Sequence, residues 1–298
     1  MTGYPHLSET TAEKLELSDA DRIRHIKKPR WISYARAKSV LDKLEDLLEH
    51  PDQARMPNML VIGETNNGKT AIVTRFRDQH PPDTNITGEA VKIPVLYIQA
   101  PPGPDEAGLY TVILDRLFEA YPRAESKDAR RNRVISVLRR VDLGMIMVDE
   151  IHHLMAGSYV NQRNCLNVLK YLGNELRVPL VGIGTAEALR AVQTDPQLSN
   201  RFTPELLPRW KAGEPELYKL LASFERILPL KKPSLLQTRP LASLIVDLCD
   251  GTIGEMSTLL NAAAVQAIKS STEQITQEVI ARCGYVGPAQ RKQVGSLL

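Results

Sequence analysis

The eight residues GETNNGKT, at positions 63–70, directly follow the apolar run MLVI at positions 59–62. They fit the pattern G-x-x-x-x-G-K-T between an apolar strand and a predicted helix, which is the context of a phosphate-binding loop. Backbone N–H groups of such a loop, with the N-terminus of the next helix, attract phosphate oxygens. A chance Gly-rich turn would not need this context, so the stretch predicts a nucleotide-binding strand, loop and helix.

Two side chains of this stretch have predicted chemical roles. Lys69 is expected to reach the terminal phosphates, and the hydroxyl of Thr70 is expected to bind Mg²⁺. The remaining nucleotide contacts of the turn are predicted from Gly63, Glu64, Thr65, Asn66, Asn67, Gly68 and Ala71.

A second apolar strand, MIMVD at 145–149, ends in Asp149, and a second acidic residue, Glu150, follows it. Ligands of open α/β sheets bind at the carboxyl ends of the strands. We therefore expect Asp149 to support Mg²⁺ and Glu150 to polarise the attacking water. The alternative, two acids capping a helix, does not account for the phosphate loop upstream. His152 and His153 follow, but adjacent side chains are expected to diverge and further ligands do not follow at metal-site spacing.

Two further residues are candidates for the same site. Thr185 follows the strand sequence PLVGIG, where it could lie between Glu150 and the terminal phosphate or could simply cap the next helix. Arg201 follows a predicted helix, and an arginine there could reach a neighbouring subunit's nucleotide and stabilise transition-state charge. A surface salt bridge is the alternative for Arg201.

The chain alternates strands and helices up to about residue 230 and is helical beyond it. This order predicts an α/β class: a P-loop core with a parallel sheet flanked by helices, followed by a small all-helical lid. The predicted domains are an N-terminal arm at 1–30, a nucleotide-binding core at 31–230, and a lid with C-terminal tail at 231–298. The first residues lack apolar periodicity, so order is expected to begin near Asp21.

Composition narrows the class of protein. The 298 residues are 43% hydrophobic, which suffices for a buried core, and a run of about 18 apolar residues that could span a membrane does not occur. The polar, acidic first residues do not resemble a signal peptide, so a cytoplasmic protein is expected. The three cysteines are isolated, which excludes a disulfide framework. A net charge of +3 permits nucleic-acid binding without requiring it.

The motifs GETNNGKT, MIMVDE, Thr185 and Arg201 resemble, in that order, the Walker A, Walker B, sensor 1 and arginine finger of AAA+ ATPases. Within that class, WISYARAKSVLDKLEDLLEHP, DEIHHL, VGIGTAEALRAV and TIGEMSTLLNAAAVQAI resemble the TniB/TnsC transposition ATPases, over about residues 31–285. The resemblance implies an ATP-dependent transposition regulator. Such a protein oligomerises as a ring or filament on double-stranded DNA, marks the target site with a target-selection protein, recruits the transposase, and is released by ATP hydrolysis.

The resemblance also assigns a role to the segment before the core, which touches the nucleotide base in such proteins. Here the corresponding candidates are Trp31, Ile32 and Tyr34, for which ordinary packing is the alternative. One departure concerns the lid, where many AAA+ proteins place a sensor 2 arginine. This chain has Gly254, Glu255 and Met256 at that place, which suggests slow intrinsic turnover.

A basic helix, predicted at about 127–140, is the candidate DNA surface. Its apolar residues share one face, and its outer face carries the candidate contacts Lys127, Arg133, Arg139 and Arg140. Contacts of this kind would be electrostatic and carry little base readout. A solvated charged helix is the alternative. Two other functions compete: a DNA-linked AAA+ ATPase such as a helicase loader, and a small-molecule kinase or simple P-loop hydrolase.

Overall fold

The structure, a computed structural model, describes residues 3–84, 91–156, 158–194 and 199–295. The chain forms two compact units. We call Ser39–Thr65 with Lys69–Leu207 the sheet unit, and Met1–Lys38, Asn66–Gly68 and Pro208–Leu298 the helical unit. The domain boundaries expected at 30 and 230 stay predictions.

The sheet unit is built on five parallel strands in the order β2-β3-β4-β1-β5. The strands are β1 (Asn58–Gly63), β2 (Val95–Gln99), β3 (Met145–Asp149), β4 (Leu180–Gly184) and β5 (Phe202–Leu207). Strands β3 and β4 are buried throughout, and β1 is buried up to its last residue. Strands with two covered faces need apolar side chains on both, which explains their continuous apolar sequences. The predicted parallel sheet is confirmed.

Six helices accompany the strands in the described part of the sheet unit. They are α3 (Ala35–Leu48, whose first residues belong to the helical unit), α4 (Lys69–Gln79), α5 (Glu106–Arg116), α6 (Lys127–Arg140), α7 (Tyr159–Leu176) and α8 (Ala186–Gln193). Ser126 and Ser158 begin α6 and α7 by accepting a hydrogen bond from a backbone N–H of the first turn. A 3₁₀ turn, Ile151–Met155, follows β3.

Strand β5 was not anticipated from the sequence. It pairs only with β1, and Pro204 lies opposite Leu60 in the register. Proline lacks an N–H to donate and is tolerated in an edge strand, whose outer side has no partner strand. Because β5 contains a proline and does not alternate regularly between buried and exposed residues, it has no clear strand signature.

The helical unit contains the remaining helices of the described chain. These are α1 (Glu9–Ala12), α2 (Asp19–Lys27), α9 (Pro215–Ile227), α10 (Arg239–Leu248), α11 (Ile253–Lys269), α12 (Gln277–Arg282) and α13 (Pro288–Gly295), with a 3₁₀ turn at Glu13–Glu16. The longest of them, α11, is mostly buried and packs against α2 and α12. The predicted helical C-terminal region is confirmed.

The N-terminal residues differ from the expectation that order begins near Asp21. Ser8 caps α1 by accepting a hydrogen bond from the Thr11 N–H, and Leu7 and Leu15 are buried in a small apolar cluster. In α2, Arg22 is fully buried and donates to Glu273, with Nη1 and Oε1 2.8 Å apart. These helices are too short to show apolar periodicity, so the sequence pattern misses them.

Within the described residues, every helix is too short or too polar to cross a membrane.

Candidate functional site

The phosphate-loop sequence connects β1, which ends at Gly63, to α4, which begins at Lys69. Asn66 and Gly68 both adopt left-handed backbone conformations, with φ of 62° and 83°. Glycine takes this conformation without strain, and asparagine tolerates it better than most residues. A Cβ atom on Gly68 would also lie 3.1 Å from Ile253 Cγ2, a tight contact that adds to the backbone preference for glycine there.

Lys69 is 6% exposed and lies at the start of α4. Its ammonium donates hydrogen bonds to the carbonyl oxygens of Gly63 and Glu64, each at 2.9 Å. Burial lowers the pKa of Lys69, although the nearby carboxylates of Glu150 and Asp149 oppose that shift. The cation is therefore fixed inside the turn that the sequence assigned to phosphate binding.

Asp149, at the end of β3, is buried and joins two hydroxyl groups. Its Oδ2 atom accepts hydrogen bonds from Thr70 Oγ1 at 2.8 Å and from Tyr97 Oη at 2.7 Å. Its Oδ1 atom accepts from the Glu150 N–H at 2.8 Å. A carboxylate beside a hydroxyl is the hard oxygen set that Mg²⁺ prefers, so Thr70 and Asp149 fit the predicted magnesium ligands.

Tyr97 is a further residue of this site that the sequence motifs do not indicate. It lies in β2, the strand that pairs with β3, two residues before the Gln99–Asp149 pair. Burial and the hydrogen bond to Asp149 raise the pKa of Tyr97. A tyrosine inside an otherwise apolar strand was the available signal, because a buried hydroxyl needs a partner.

Glu150 directly follows Asp149 and has a left-handed backbone, with φ of 52°. This conformation turns the chain into the 3₁₀ segment, where His152 Nδ1 lies 3.2 Å from Glu150 Oε2. Ligand atoms of Glu150, His152 and His153 all lie within 4.8 Å of one another. The expected divergence of the two histidines was wrong, because the tight turn brings their ring centroids to 4.6 Å.

Thr185 begins α8 at the carboxyl end of β4. Its side chain makes no capping hydrogen bond, and its hydroxyl oxygen is buried with no hydrogen-bond partner in the described part of the chain. Simple helix capping therefore does not account for Thr185. Its predicted role beside Glu150 stays a prediction.

Arg201 precedes β5 and therefore lies at the amino-end edge of the sheet. Its backbone carbonyl accepts from the Asn58 N–H, and its Nη1 donates to Asn174 Oδ1 at 2.9 Å. The phosphate loop follows Gly63, at the other end of the same strand β1. Five residue steps of a strand separate the two ends by on the order of 16 Å. Arg201 thus points away from the phosphate-loop edge of its own sheet.

A surface cavity of about 560 Å³ lies beside Arg201 in the sheet unit. Arg55 lines it as well, and the lining residues that the structure describes include no carboxylate. Two guanidinium groups without a neighbouring acid favour anions. Arg55 precedes β1 in an irregular segment, where no sequence pattern indicates a functional residue.

The candidate base contacts lie in the helical unit. Ile32 and Tyr34 pack against its apolar core, and Trp31 is half-buried. The Tyr34 ring lies edge-on to buried Trp210, with centroids 5.5 Å apart, and burial raises the pKa of Tyr34 to about 12. The Tyr34 hydroxyl would lie 3.5 Å from a Cβ on Gly68, so this aromatic residue reaches the tip of the phosphate loop. The base-contact role stays a prediction.

Each candidate DNA residue of α6 is paired with a carboxylate of the sheet unit. The ion pairs are Lys127–Glu106 at 3.1 Å, Arg133–Glu125 at 2.9 Å, Arg140–Glu119 at 2.7 Å, and Arg139–Glu175. The pairs of Lys127, Arg139 and Arg140 are solvent-accessible, and such pairs are worth roughly 0–1 kcal/mol, so they do not prevent a phosphate from replacing the carboxylate. The pair of Arg133 differs, because the side chain of Glu125 is buried. All of these pairs reduce the positive field that this face offers to DNA.

Comparison with solved structures identifies the fold. It superposes on the ORC2 protein of Aeropyrum pernix, solved as ADPNP-ADP complexes, with a TM-score of 0.61 and 16% identity over 87% of this chain and 70% of that one. For the ORC1 protein of Aeropyrum pernix in complex with DNA, the TM-score is 0.55 and the identity 19%, over 91% of this chain and 69% of that one. For Cdc6p from Pyrobaculum aerophilum, the TM-score is 0.55 and the identity 15%, over 90% of this chain and 70% of that one. The fold is that of AAA+ ATPases.

The family follows from the sequence itself. The profile of the family described as Bacterial TniB protein matches residues 22–212, and the chain belongs to that family. No protein with a curated description matches the chain by sequence. The predicted resemblance to AAA+ proteins of the TniB type is confirmed.

Proposed function

We propose that this protein is an ATP-dependent regulator of DNA transposition. In this proposal it oligomerises on double-stranded DNA, marks the target site, and recruits the transposase together with a target-selection protein. ATP hydrolysis then drives disassembly. Membership of the TniB family supports the proposal, as does the AAA+ fold, which also occurs in an ORC1 protein solved in complex with DNA.

The observation that carries the proposal is the distribution of residues over the two edges of the sheet. Lys69, Thr70, Asp149 and Glu150 lie at the carboxyl-end edge, whereas Arg201 lies at the amino-end edge. An arginine so placed cannot serve its own phosphate loop, but it can serve the loop of a second copy. The catalytic site is then complete only between two subunits, which couples ATP hydrolysis to assembly.

Each residue has a role that its environment supports. Lys69 neutralises the terminal phosphates, and the Thr70 hydroxyl and Asp149 carboxylate hold Mg²⁺. Glu150 orients and polarises the attacking water, while Thr185, with its unpaired hydroxyl, fixes the water or the terminal phosphate. Arg201 of a neighbouring copy stabilises charge in the transition state. Bound Mg²⁺ would neutralise charge on the phosphate oxygens.

Electron microscopy with duplex DNA and a non-hydrolysable ATP analogue tests the assembly. We expect rings or helical filaments that enclose the duplex. Lys69→Ala should abolish them, and Glu150→Gln should stabilise them when ATP itself is supplied. Lys92→Ala is a matched control, because Lys92 forms an exposed pair with Asp142. Monomers that do not touch DNA, under conditions where nucleotide is bound, would contradict the proposal.

A second DNA-linked function, such as helicase loading, would use the same ATP site. The fold that this chain shares with ORC and Cdc6 proteins is the observation that supports this alternative. Affinity capture with a purified transposase and a purified replicative helicase separates the two functions. Nucleotide-dependent binding to the transposase supports the proposal, and binding to the helicase alone supports the alternative.

A further inference from the structure

The tip of the phosphate loop is held by the first turn of α11, and both belong to the helical unit. The backbone carbonyl of Asn66 accepts a hydrogen bond from the Gly254 N–H at 3.0 Å. Its side-chain amide donates to Glu255 Oε1, also at 3.0 Å. Asn66 is thus anchored through its main chain and its side chain at once, in the left-handed conformation that shapes the loop.

Gly254 makes this close approach possible. A Cβ atom at this position would lie 1.9 Å from Asn66 Oδ1 and 2.7 Å from its backbone oxygen, distances that no packing tolerates. Asn67 is held next to it, because its Oδ1 accepts from the Ile253 N–H at 3.4 Å and its Nδ2 donates to the Pro208 carbonyl at 3.3 Å. Both asparagines of GETNNGKT are therefore hydrogen-bonded to the C-terminal residues of the helical unit, to which they themselves belong.

Glu255 connects this anchor to the C-terminal residues. Its second oxygen, Oε2, accepts hydrogen bonds from Tyr285 Oη at 2.6 Å and from Arg291 Nη2. The Glu255 side chain is 10% exposed, whereas that of Arg291 is 52% exposed. Burial alone would raise the pKa of Glu255, but the hydrogen bonds from Arg291, Tyr285 and Asn66 outweigh it and hold the pKa below its usual range. The carboxylate is therefore charged and fully engaged.

We propose that Glu255 is a positioning residue for nucleotide binding, which fixes the phosphate loop through Asn66, and that Arg291 of α13 sets how firmly it does so. This inference rests on the proposed nucleotide binding. Glu255 stands where many AAA+ proteins have the sensor 2 arginine. In this proposal its carboxylate supports the phosphate loop, whereas an arginine at that place would contact the phosphate itself. Arg291 also makes α13 a control point, because any partner that draws Arg291 away would loosen the loop.

The physical reason lies in the direction of the loop N–H groups. A phosphate is bound by several N–H groups that converge, and their directions depend on the φ and ψ angles of Asn66 and its neighbours. Left-handed backbone is disfavoured for a non-glycine residue unless its surroundings hold it. Without the Glu255 contact, Asn66 has access to other conformations. The loop must then be restored to its binding conformation when nucleotide binds, and the free energy of this step lowers the affinity.

The first test measures the loop without nucleotide. Amide hydrogen exchange of peptides covering residues 63–70 should be faster in Glu255→Leu and Arg291→Ala than in the wild type. Glu255→Gln keeps an acceptor for Asn66, so its exchange rate should lie between those of the wild type and Glu255→Leu. Arg282→Ala is the matched control, because Arg282 forms an exposed pair with Glu278 one helix earlier. Unchanged exchange in Arg291→Ala and Glu255→Leu, with folding intact, would overturn the inference.

The second test measures nucleotide affinity with a fluorescent ATP analogue and steady-state hydrolysis. The dissociation constant should rise about tenfold in Glu255→Leu and about threefold in Arg291→Ala, a range that hydrogen bonds to charged groups can supply. KM should rise in parallel while kcat changes by less than about twofold, because the chemical groups are untouched. A fall in kcat at unchanged KM would contradict a positioning role.

The two tests separate the inference from the proposed function. A wild type that binds no nucleotide would refute the proposed function, while the exchange of the loop would still decide whether Glu255 and Arg291 hold it. If Glu255→Leu does not fold, both tests can still be made with Arg291→Ala. This variant loses an exposed side chain and is expected to fold.

Discussion

Thr70 donates its hydroxyl hydrogen to Asp149, with Oγ1 and Oδ2 2.8 Å apart. Thr70 lies in the first turn of α4 and Asp149 ends β3, so the bond joins the two predicted magnesium ligands at the carboxyl-end edge of the sheet. Tyr97 donates to the same oxygen of Asp149. The predicted ligands are thus oriented by a neighbour that has no ligand role of its own.

Tyr97→Phe tests this orientation. Removing the hydroxyl leaves Asp149 with one donor fewer, so the Mg²⁺ concentration for half-maximal nucleotide binding should rise several-fold. A neutral hydrogen bond contributes only about 1 kcal/mol, so the free energy of unfolding should change little. Tyr121→Phe is the control, because Tyr121 donates to Asp115 on the exposed surface. An unchanged Mg²⁺ titration would show that Tyr97 does not orient the metal ligands.

Arg201→Ala should remove hydrolysis and spare nucleotide binding. An arginine that acts from a neighbouring subunit is worth about 10³–10⁵ in kcat in the best-studied cases, so a loss of at least 10²-fold is expected. Arg116→Ala, which changes an exposed arginine elsewhere in the sheet unit, should have no effect.

Mixing two inactive variants shows where Arg201 acts. Lys69→Ala keeps Arg201, and Arg201→Ala keeps the phosphate loop, so an interface between one copy of each can contain a complete site. Hydrolysis should partly return in the mixture. If it does not return while both variants still assemble, Arg201 does not act between subunits.

The ion pair of Arg22 and Glu273 predicts a pH dependence of stability. Burial opposes ionisation of Glu273, but hydrogen bonds from Arg22 and the Lys231 N–H outweigh it and lower the pKa of Glu273. The pair therefore stabilises the fold fully above the ordinary glutamate pKa of about 4.3, and its contribution falls as the pH drops through the lowered folded value.

Glu273→Gln should destabilise the protein at pH 7 by about 3 kcal/mol, because buried Arg22 would keep only the exposed Asp19 carboxylate as a charge partner. Urea denaturation at several pH values between 3 and 7 measures both effects. The variant's stability should depend less on pH below 5 than that of the wild type. Parallel curves would indicate that other carboxylates account for the acid sensitivity.

The basic face of α6 can be tested by freeing its arginines. If this face binds DNA, Glu119→Gln and Glu175→Gln release Arg140 and Arg139 and should each strengthen duplex binding two- to threefold, as expected for about 0.5 kcal/mol. Arg140→Ala should lower the slope of log affinity against log salt by about 1. Glu278→Gln, on α12, serves as control. Unchanged affinity in all the α6 variants would place the DNA surface elsewhere.

Most of the candidate nucleotide site could be proposed from the sequence because its parts are local. The phosphate loop is one continuous stretch, and Asp149 and Glu150 follow an apolar strand whose carboxyl end must face the same edge. The contacts of Tyr97 with Asp149 and of Asn66 with Glu255 could not be predicted, since they join segments that are distant in the chain and follow no spacing rule.

Other elements escaped prediction for different physical reasons. Strand β5 contains Pro204, which argues against a strand unless its position at the sheet edge is known. The ordered N-terminus depends on buried contacts such as that of Arg22 with Glu273, and an arginine in a polar sequence gives no sign that it will be buried.

The missing Cβ of Gly254 changes how the nucleotide-binding signature of this chain should be written. The eight letters of GETNNGKT name only part of it, because a methyl group on a helix far along the chain would disrupt the loop as surely as a change within it. A search for proteins with the same loop support would require the pair Gly-Glu at the start of a C-terminal helix whenever Asn stands at the fourth position of the motif. Sequences that share the eight letters without that pair would have to support their loop by other contacts.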